Sequence, residues 1–316
     1  DSRPGSYSTV RKRSPVVMPD KRPHKKILDW EARSTKPAKA LVSNLLEHKH
    51  ETASEGRLNF ISLSPDPTLL PMERFRKCMN QVMKRKGASL LGYSDPMGYR
   101  PLRDFIADHM QKHSISVNAD EILITNGSQN AIELIFKLLV TRESKVVVES
   151  PTYSSLIPLL RYYTPNISEV PVRKDGMDLD ILERMVKQDP PVLIYTMPTF
   201  HNPTGITTSQ SHRERLIKIC EENKVPILED AFEEEMKYFG RTILPLKSMD
   251  QSGIVLYLGT FSKILFPGMR LGWIAAEREC VDKLGALKQA GDISGNVMNQ
   301  AALNLFCRSG YYEDRK

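Results

Sequence analysis

The chain has 316 residues, 40% of them apolar and 26% charged, which fits one large or two moderate globular domains with a substantial core. Its longest apolar runs, such as Val146–Val148 and Ile254–Leu256, are strand-sized and exclude an apolar membrane-spanning helix; with no apolar core of a secretory signal at the amino end, the expectation is a cytoplasmic protein. The formal net charge of +7 resides in residues 1–40, where 11 Lys or Arg face 4 Asp or Glu, and the other residues balance.

That basic stretch contains Pro4, Pro15, Pro19, Pro23 and Pro37 with little apolar periodicity, so residues 1–40 read as mostly irregular. They suit either a solvated linker or a segment lying beside a polyanion such as DNA, where Lys and Arg replace condensed counterions. A start at Asp1 rather than Met suggests a fragment.

From Glu73 to Lys86, Phe75, Met79, Val82 and Met83 recur at helical spacing, as do Leu102, Phe105, Ile106 and Met110 between Gly98 and His113. An alternation of short strands and helices comes next. Strands are predicted at Glu121–Thr125, Lys145–Glu149, Ser168–Val172, Val192–Thr196, Val225–Glu229, Ile254–Gly259 and Leu271–Ala276. Helices are predicted at Ser128–Val140, Ser154–Tyr163, Asp180–Gln188 and Ser209–Asn223, and Asp180 with Glu183 has capping-box spacing. This pattern predicts an α/β fold with a mainly parallel central sheet flanked by helices.

Cys78, Cys220, Cys280 and Cys307 are scattered, with no Cys-x-x-Cys pair, and read as reduced packing residues. His109 and His113 share a helix face among Asp108, Gln111 and Lys112, which reads as a solvated face better than as a metal site.

Four segments, each just after a predicted strand, stand where open α/β sheets place ligands. In Thr125–Gln129, Gly127 permits close backbone approach, and the helix after it aims free N–H groups at an anion beside the Ser128 hydroxyl; alone it is an ordinary glycine turn. In His201–Gly205, turn chemistry is the default, and the functional reading uses the Asn202 amide as a neutral donor. In Leu228–Phe232, Asp230 is a carboxylate at a buried strand end, costly unless paired, although it could equally cap a helix. The fourth runs from Gly259 to Lys263 and on through Pro267–Trp273. Lys263 comes after a buried strand among apolar residues, where desolvation favours the neutral, nucleophilic amine. Arg270 offers a planar fork for a phosphate.

In this order, from about Asn59 to Arg315, the segments resemble the fold-type-I pyridoxal-5′-phosphate (PLP) enzymes of the aminotransferase superfamily. The resemblance extends to Leu91–Arg103, similar to that family's tyrosine–glycine segment near the dimer interface. It implies that Lys263 carries PLP as an imine and then serves as the base. It further implies that Asp230 pairs with the ring nitrogen, Asn202 donates to the phenolic oxygen, and Tyr153 stacks on the ring. Ser128, Gln129, Thr260, Ser262 and Arg270 would surround the phosphate. Tyr93 would reach the phosphate of a neighbouring subunit, implying a homodimer.

Within the superfamily the chain most resembles the MocR-type regulators of the GntR group. Arg3–Tyr7 looks like the end of a DNA-binding wing, Ile27–Trp30 like the linker-to-body transition, and Phe261–Arg270 like those regulators' lysine segment. That resemblance implies a linker at residues 1–56 after a lost winged helix, which would bind DNA, and an aminotransferase-like domain at 57–316 whose small carboxyl-terminal domain is largely missing. The chain departs from most aminotransferases at Phe232, where they carry a tyrosine. The favoured expectation is a PLP-binding domain that senses a small-molecule amine or amino acid. A working aminotransferase of the aminoadipate or kynurenine type is the alternative, and a PLP-binding dimerisation module without turnover the third.

Overall fold

The computed structural model describes residues 27–51, 65–232, 243–263 and 265–315. The segment likened to a wing end, Arg3–Tyr7, lies outside them, as does most of the basic stretch. Two helices open the described chain, α1 (Trp30–Arg33) and α2 (Lys36–Glu51), the latter packed against a helix of the main body. The expectation of irregular backbone is therefore corrected for this part of residues 1–40. Pro37 falls in the first turn of α2, where proline's missing N–H has no intrahelical partner to lose.

Helices α3 (Met72–Leu90) and α4 (Arg100–Met110) come next, as the periodicity predicts. The sheet and its helices then alternate: β1 (Ile122–Thr125), α5 (Ser128–Leu139), β2 (Val146–Ser150), α6 (Leu156–Tyr163), β3 (Ile167–Arg173), β4 (Gly176–Met177), α7 (Leu179–Gln188), β5 (Leu193–Thr196), α8 (Gln210–Glu222), β6 (Ile227–Asp230), α9 (Leu246–Met249), β7 (Val255–Thr260), β8 (Gly272–Ala275), α10 (Arg278–Asp292) and α11 (Val297–Arg308). Helix α2 packs on α6, and α11 packs on α3 and α4.

Among the described residues, eight strands form one sheet in the order β1-β8-β7-β6-β5-β2-β3-β4. Strands β7, β6, β5, β2 and β3 are parallel neighbours. Strand β8 is antiparallel to both β7 and β1, so β1 runs the same way as the parallel set, and β4 closes an antiparallel hairpin on β3. The sheet is thus mixed, with a parallel majority. Its central strands are buried along their whole length, as expected when helices cover both faces. One face packs Leu123, Ile135, Val148, Tyr195 and Leu258, and the other packs Val147, Ile194, Leu216 and Val255. A further core joins α3, α4 and α11 through Cys78, Leu102, Ile106, Leu303 and Phe306.

Two local expectations change. Helix α7 is capped by Asp178, which accepts from Ile181 N at 3.2 Å, and not by an Asp180–Glu183 box. Because the helix starts one residue earlier than expected, Asp180 and Glu183 instead accept from the Arg215 guanidinium at 2.5 and 3.1 Å. His109 is buried rather than solvated, stacked on Phe105 and edge-on to Tyr312, a residue supplied from the far end of the chain. Cys78, Cys220, Cys280 and Cys307 are free thiols, and burial pushes Cys220 up to about 12 and Cys280 up to about 11. No helix among the described residues is long and apolar enough to cross a membrane.

Candidate functional site

The sheet topology collects the site residues on one edge. Strands β1, β2, β5, β6 and β7 all point their carboxyl ends the same way, and each leads into a residue singled out in the sequence. Ser128 comes after β1, Tyr153 after β2 and Asn202 after β5; Asp230 ends β6, and Ser262 and Lys263 come after β7. Arg270 precedes β8, which runs in the opposite direction, so its start lies on that same edge.

A cavity of about 770 Å³ opens there, lined by Ser128, Gln129, Tyr153, Asn202, Asp230, Thr260, Ser262, Lys263 and Arg270 among others. Nine of the eleven predicted site residues therefore line one cavity. Of the other two, Gly127 lies directly beneath Arg270. Tyr93 is 86% exposed and does not line the cavity.

One end of the cavity is built for an anion. The first turn of α5 has no side-chain cap, so its leading N–H groups and the positive end of the helix dipole face outward. The Arg270 guanidinium lies over Gly127, whose φ of +85° suits glycine. Ser262 and Thr260 add hydroxyls, with Thr260 Oγ1 3.1 Å from both the Ser262 hydroxyl and its backbone N–H. Gly259 brings β7 against β8, since a Cβ there would overlap the Trp273 ring.

The remaining wall is held from behind by buried polar groups. Asp230 is 3% exposed and accepts from the Tyr195 hydroxyl at 2.7 Å. Burial, then the Asp230 and Glu149 carboxylates, pushes that phenol well above its ordinary value. Glu149, at the end of β2, accepts from Thr196 Oγ1 and Met197 N, both at 2.9 Å, and stands 3.4 Å from His201 Nε2. His201 Nδ1 meets the Thr204 hydroxyl at 2.9 Å. Arg213 of α8, fully buried, donates to Pro198 O at 2.8 Å, Thr199 Oγ1 at 2.9 Å, Thr208 Oγ1 at 3.0 Å and Leu244 O at 3.1 Å. These contacts pin both ends of the loop that presents Asn202.

Lys263 is half-buried in a wall rich in hydroxyls and amides, not enclosed by apolar side chains as its sequence neighbours implied; Phe261, Leu265 and Phe266 turn into the core instead. Tyr195, Glu149 and Arg213 are not visible as site residues in the sequence, because a tyrosine inside an apolar strand and an arginine on a polar helix look ordinary. Only the alignment of neighbouring strands, and for Arg213 the packing of α8 on the loop after β5, reveals their partners. Phe232 lines the cavity, as do Met197 and Phe200.

The residues fit the cofactor expected from the sequence: an anion cradle, a buried carboxylate and a lysine amine open into one space. An aromatic-amino-acid aminotransferase of Thermococcus litoralis is 35% identical over 79% of this chain and 61% of its own length. YisV of Bacillus subtilis, described as an uncharacterized HTH-type transcriptional regulator, is 33% identical over 82% of this chain and 52% of its own length. The chain thus spans between half and two thirds of these two curated relatives. The crystal structure of LysN, an alpha-aminoadipate aminotransferase of Thermus thermophilus complexed with N-(5′-phosphopyridoxyl)-L-leucine, superposes with a TM-score of 0.81 at 32% identity. That superposition covers 90% of this chain and 72% of LysN. The family model for aminotransferase class I and II matches residues 64–311, and the chain belongs to that family.

Proposed function

We propose that this chain binds PLP through Lys263 and carries out amino-group exchange with an amino acid. One observation supports the reading above all: an uncapped helix start with Arg270, a buried Asp230 and the Lys263 amine open into a single cavity. When bound, the cofactor supplies an aldehyde that condenses with amines and a ring that withdraws electrons from the carbon bearing the amine. Arg270, Ser262, Thr260, Ser128, Gln129 and the N–H groups of α5 hold the phosphate. Asp230 keeps a proton on the ring nitrogen, Asn202 donates its amide N–H to the phenolic oxygen, and Tyr153 covers the ring. Lys263 Nζ carries the proton that moves during exchange. Exposed Tyr93 belongs to a homodimer in this reading, reaching the phosphate held by the other copy.

The test uses the full chain supplied with PLP, with amino acids added one at a time, beside Lys263→Ala. A visible absorption band that requires Lys263, with release of a 2-oxo acid, is the expected result. Absence of any such band in the wild-type chain would overturn the reading.

A second reading is favoured by the charge in residues 1–40 and by the similarity to YisV. In it the chain is the amine-sensing body of a transcriptional regulator, residues 1–56 are a linker whose α2 rests on that body, and DNA is bound by a winged helix in the longer protein. Lys and Arg of the linker then neutralise phosphates near the operator. Spectral change on adding an amine, without 2-oxo acid, selects this reading.

A further inference from the structure

We propose that Tyr195 is a positioning residue for the cofactor's ring nitrogen: its hydroxyl, donated to Asp230 at 2.7 Å, lowers the basicity of that carboxylate so that the shared proton rests on nitrogen. The inference rests on the reading that PLP occupies this cavity with Asp230 against its ring.

Two neighbouring strands hold the pair together. Tyr195 lies on β5 beside Leu228 of β6, and Asp230 is two residues further along β6 on the same face. The geometry is therefore set by sheet register, not by a flexible loop. Tyr195 is 0% exposed and Asp230 3%, so water does not compete for the bond and its electrostatic effect is large. Burial and two nearby carboxylates also oppose loss of the Tyr195 proton, which favours the hydroxyl as a donor to Asp230.

A carboxylate facing a pyridine nitrogen shares one proton with it. Burial makes the carboxylate more basic and draws that proton towards oxygen, leaving the ring neutral and a poorer electron acceptor. A hydroxyl donated to the carboxylate stabilises the anion and returns the proton to nitrogen. Asp230 needs such a donor because it is so thoroughly buried. Tyr195 is fully buried and does not line the cavity, whereas Asp230 does, so the Tyr195 hydroxyl acts from behind the carboxylate and not from the ligand side.

The test loads the full chain with PLP labelled with nitrogen-15 in the ring and compares wild type with Tyr195→Phe, Asp230→Asn and the double variant at equal occupancy. The wild-type resonance is expected at the protonated-pyridine position, and Tyr195→Phe is expected to move it towards the neutral position. In the Asp230→Asn background, Tyr195→Phe is expected to add no further movement. An unchanged resonance in Tyr195→Phe overturns the proposal, as does an equal movement in both backgrounds, which would assign the effect to packing. As a check that does not remove the hydroxyl, 3-fluorotyrosine at position 195, a stronger donor of nearly the same shape, is expected to leave the nitrogen protonated. Movement towards neutral there also overturns the proposal. Failure of the wild-type chain to take up PLP would instead refute the cofactor reading itself.

Discussion

Arg270 and Gly127 are packed guanidinium against backbone: a Cβ at position 127 would lie 2.5 Å from Arg270 Nη2. The contact joins the start of α5 to the segment before β8, two pieces of chain more than a hundred residues apart, and forms the anion end of the cavity. A side chain at 127 would both strain the backbone at φ +85° and push the guanidinium away. Gly127→Ala is expected to cost about 1–3 kcal/mol of stability and to weaken PLP binding roughly tenfold or more, a change of at least about 1.4 kcal/mol. Fluorescence titration with PLP, alongside thermal unfolding, separates the two effects. Arg270→Lys keeps the charge but loses the planar fork, so it is expected to weaken binding while leaving the unfolding temperature unchanged.

Arg213 holds the loop that carries Asn202. Its guanidinium ties Pro198, Thr199, Thr208 and Leu244 together with no exposure to water. Truncating it removes the shared donor from two carbonyls and two hydroxyls; Pro198 O keeps the Thr208 N–H and hydroxyl as donors, while among the described residues no other hydrogen bond holds Leu244 O or the Thr199 hydroxyl. Arg213→Ala is expected to destabilise the fold by about 3–5 kcal/mol in denaturant unfolding, and Arg213→Lys by less, since one ammonium satisfies only some of the four acceptors. A loss below about 1 kcal/mol for Arg213→Ala would show that the loop is held by other contacts.

Arg270 and Arg213 also mark where the sequence is readable and where it is not. Gly127 and Arg270 sit in short motifs immediately beside apolar strands, so strand prediction and turn chemistry suffice to single them out. Lys263, Asp230 and Asn202 are legible for the same reason, because a parallel sheet converts position after a strand into position in space. Tyr195 and Glu149 act across neighbouring strands, and Arg213 reaches from helix α8 onto the loop after β5; which elements adjoin is a property of topology that local pattern does not carry. The burial of His109 depends on Tyr312, some two hundred residues away. Helix α2 is obscured by Pro37, a residue that breaks a helix in its middle but is accommodated in a first turn. Tyr93 is singled out by its motif alone, and within one chain it is exposed and away from the cavity.

Asp250 connects the fold to pH. Its side chain is fully buried, 2.8 Å from Lys247 Nζ, and accepts from the N–H groups of Ile254 and Val255, each at 3.0 Å. Burial pushes the carboxyl up, but the Lys247 ammonium and these backbone donors together bring it below its ordinary value. A carboxyl depressed by folding adds stability that is complete above the unfolded-chain value, about 3.9, and is lost as pH falls through the lower folded value. Asp250→Asn is therefore expected to be less stable than the wild type near neutral pH, with the gap narrowing below about pH 4. Urea unfolding at a series of pH values measures it; a gap that does not change with pH would mean the carboxyl is not depressed.

Phe232 bears on how the cavity treats a bound cofactor. It lines the wall two residues beyond Asp230 and packs against the core on its other side. Phe232→Tyr adds one hydroxyl on that wall at little packing cost. If that hydroxyl reaches the cofactor's phenolic oxygen, as the resemblance to aminotransferases implies, it stabilises the ionised phenolate and shifts the pH midpoint of the visible band downward. The expected result is a lower midpoint in Phe232→Tyr than in the wild type, with PLP affinity unchanged within about twofold. An identical midpoint would place residue 232 away from the phenolic oxygen. A lower midpoint accompanied by faster release of 2-oxo acid would mean that phenylalanine here restrains turnover, as a site that responds to amines without consuming them requires.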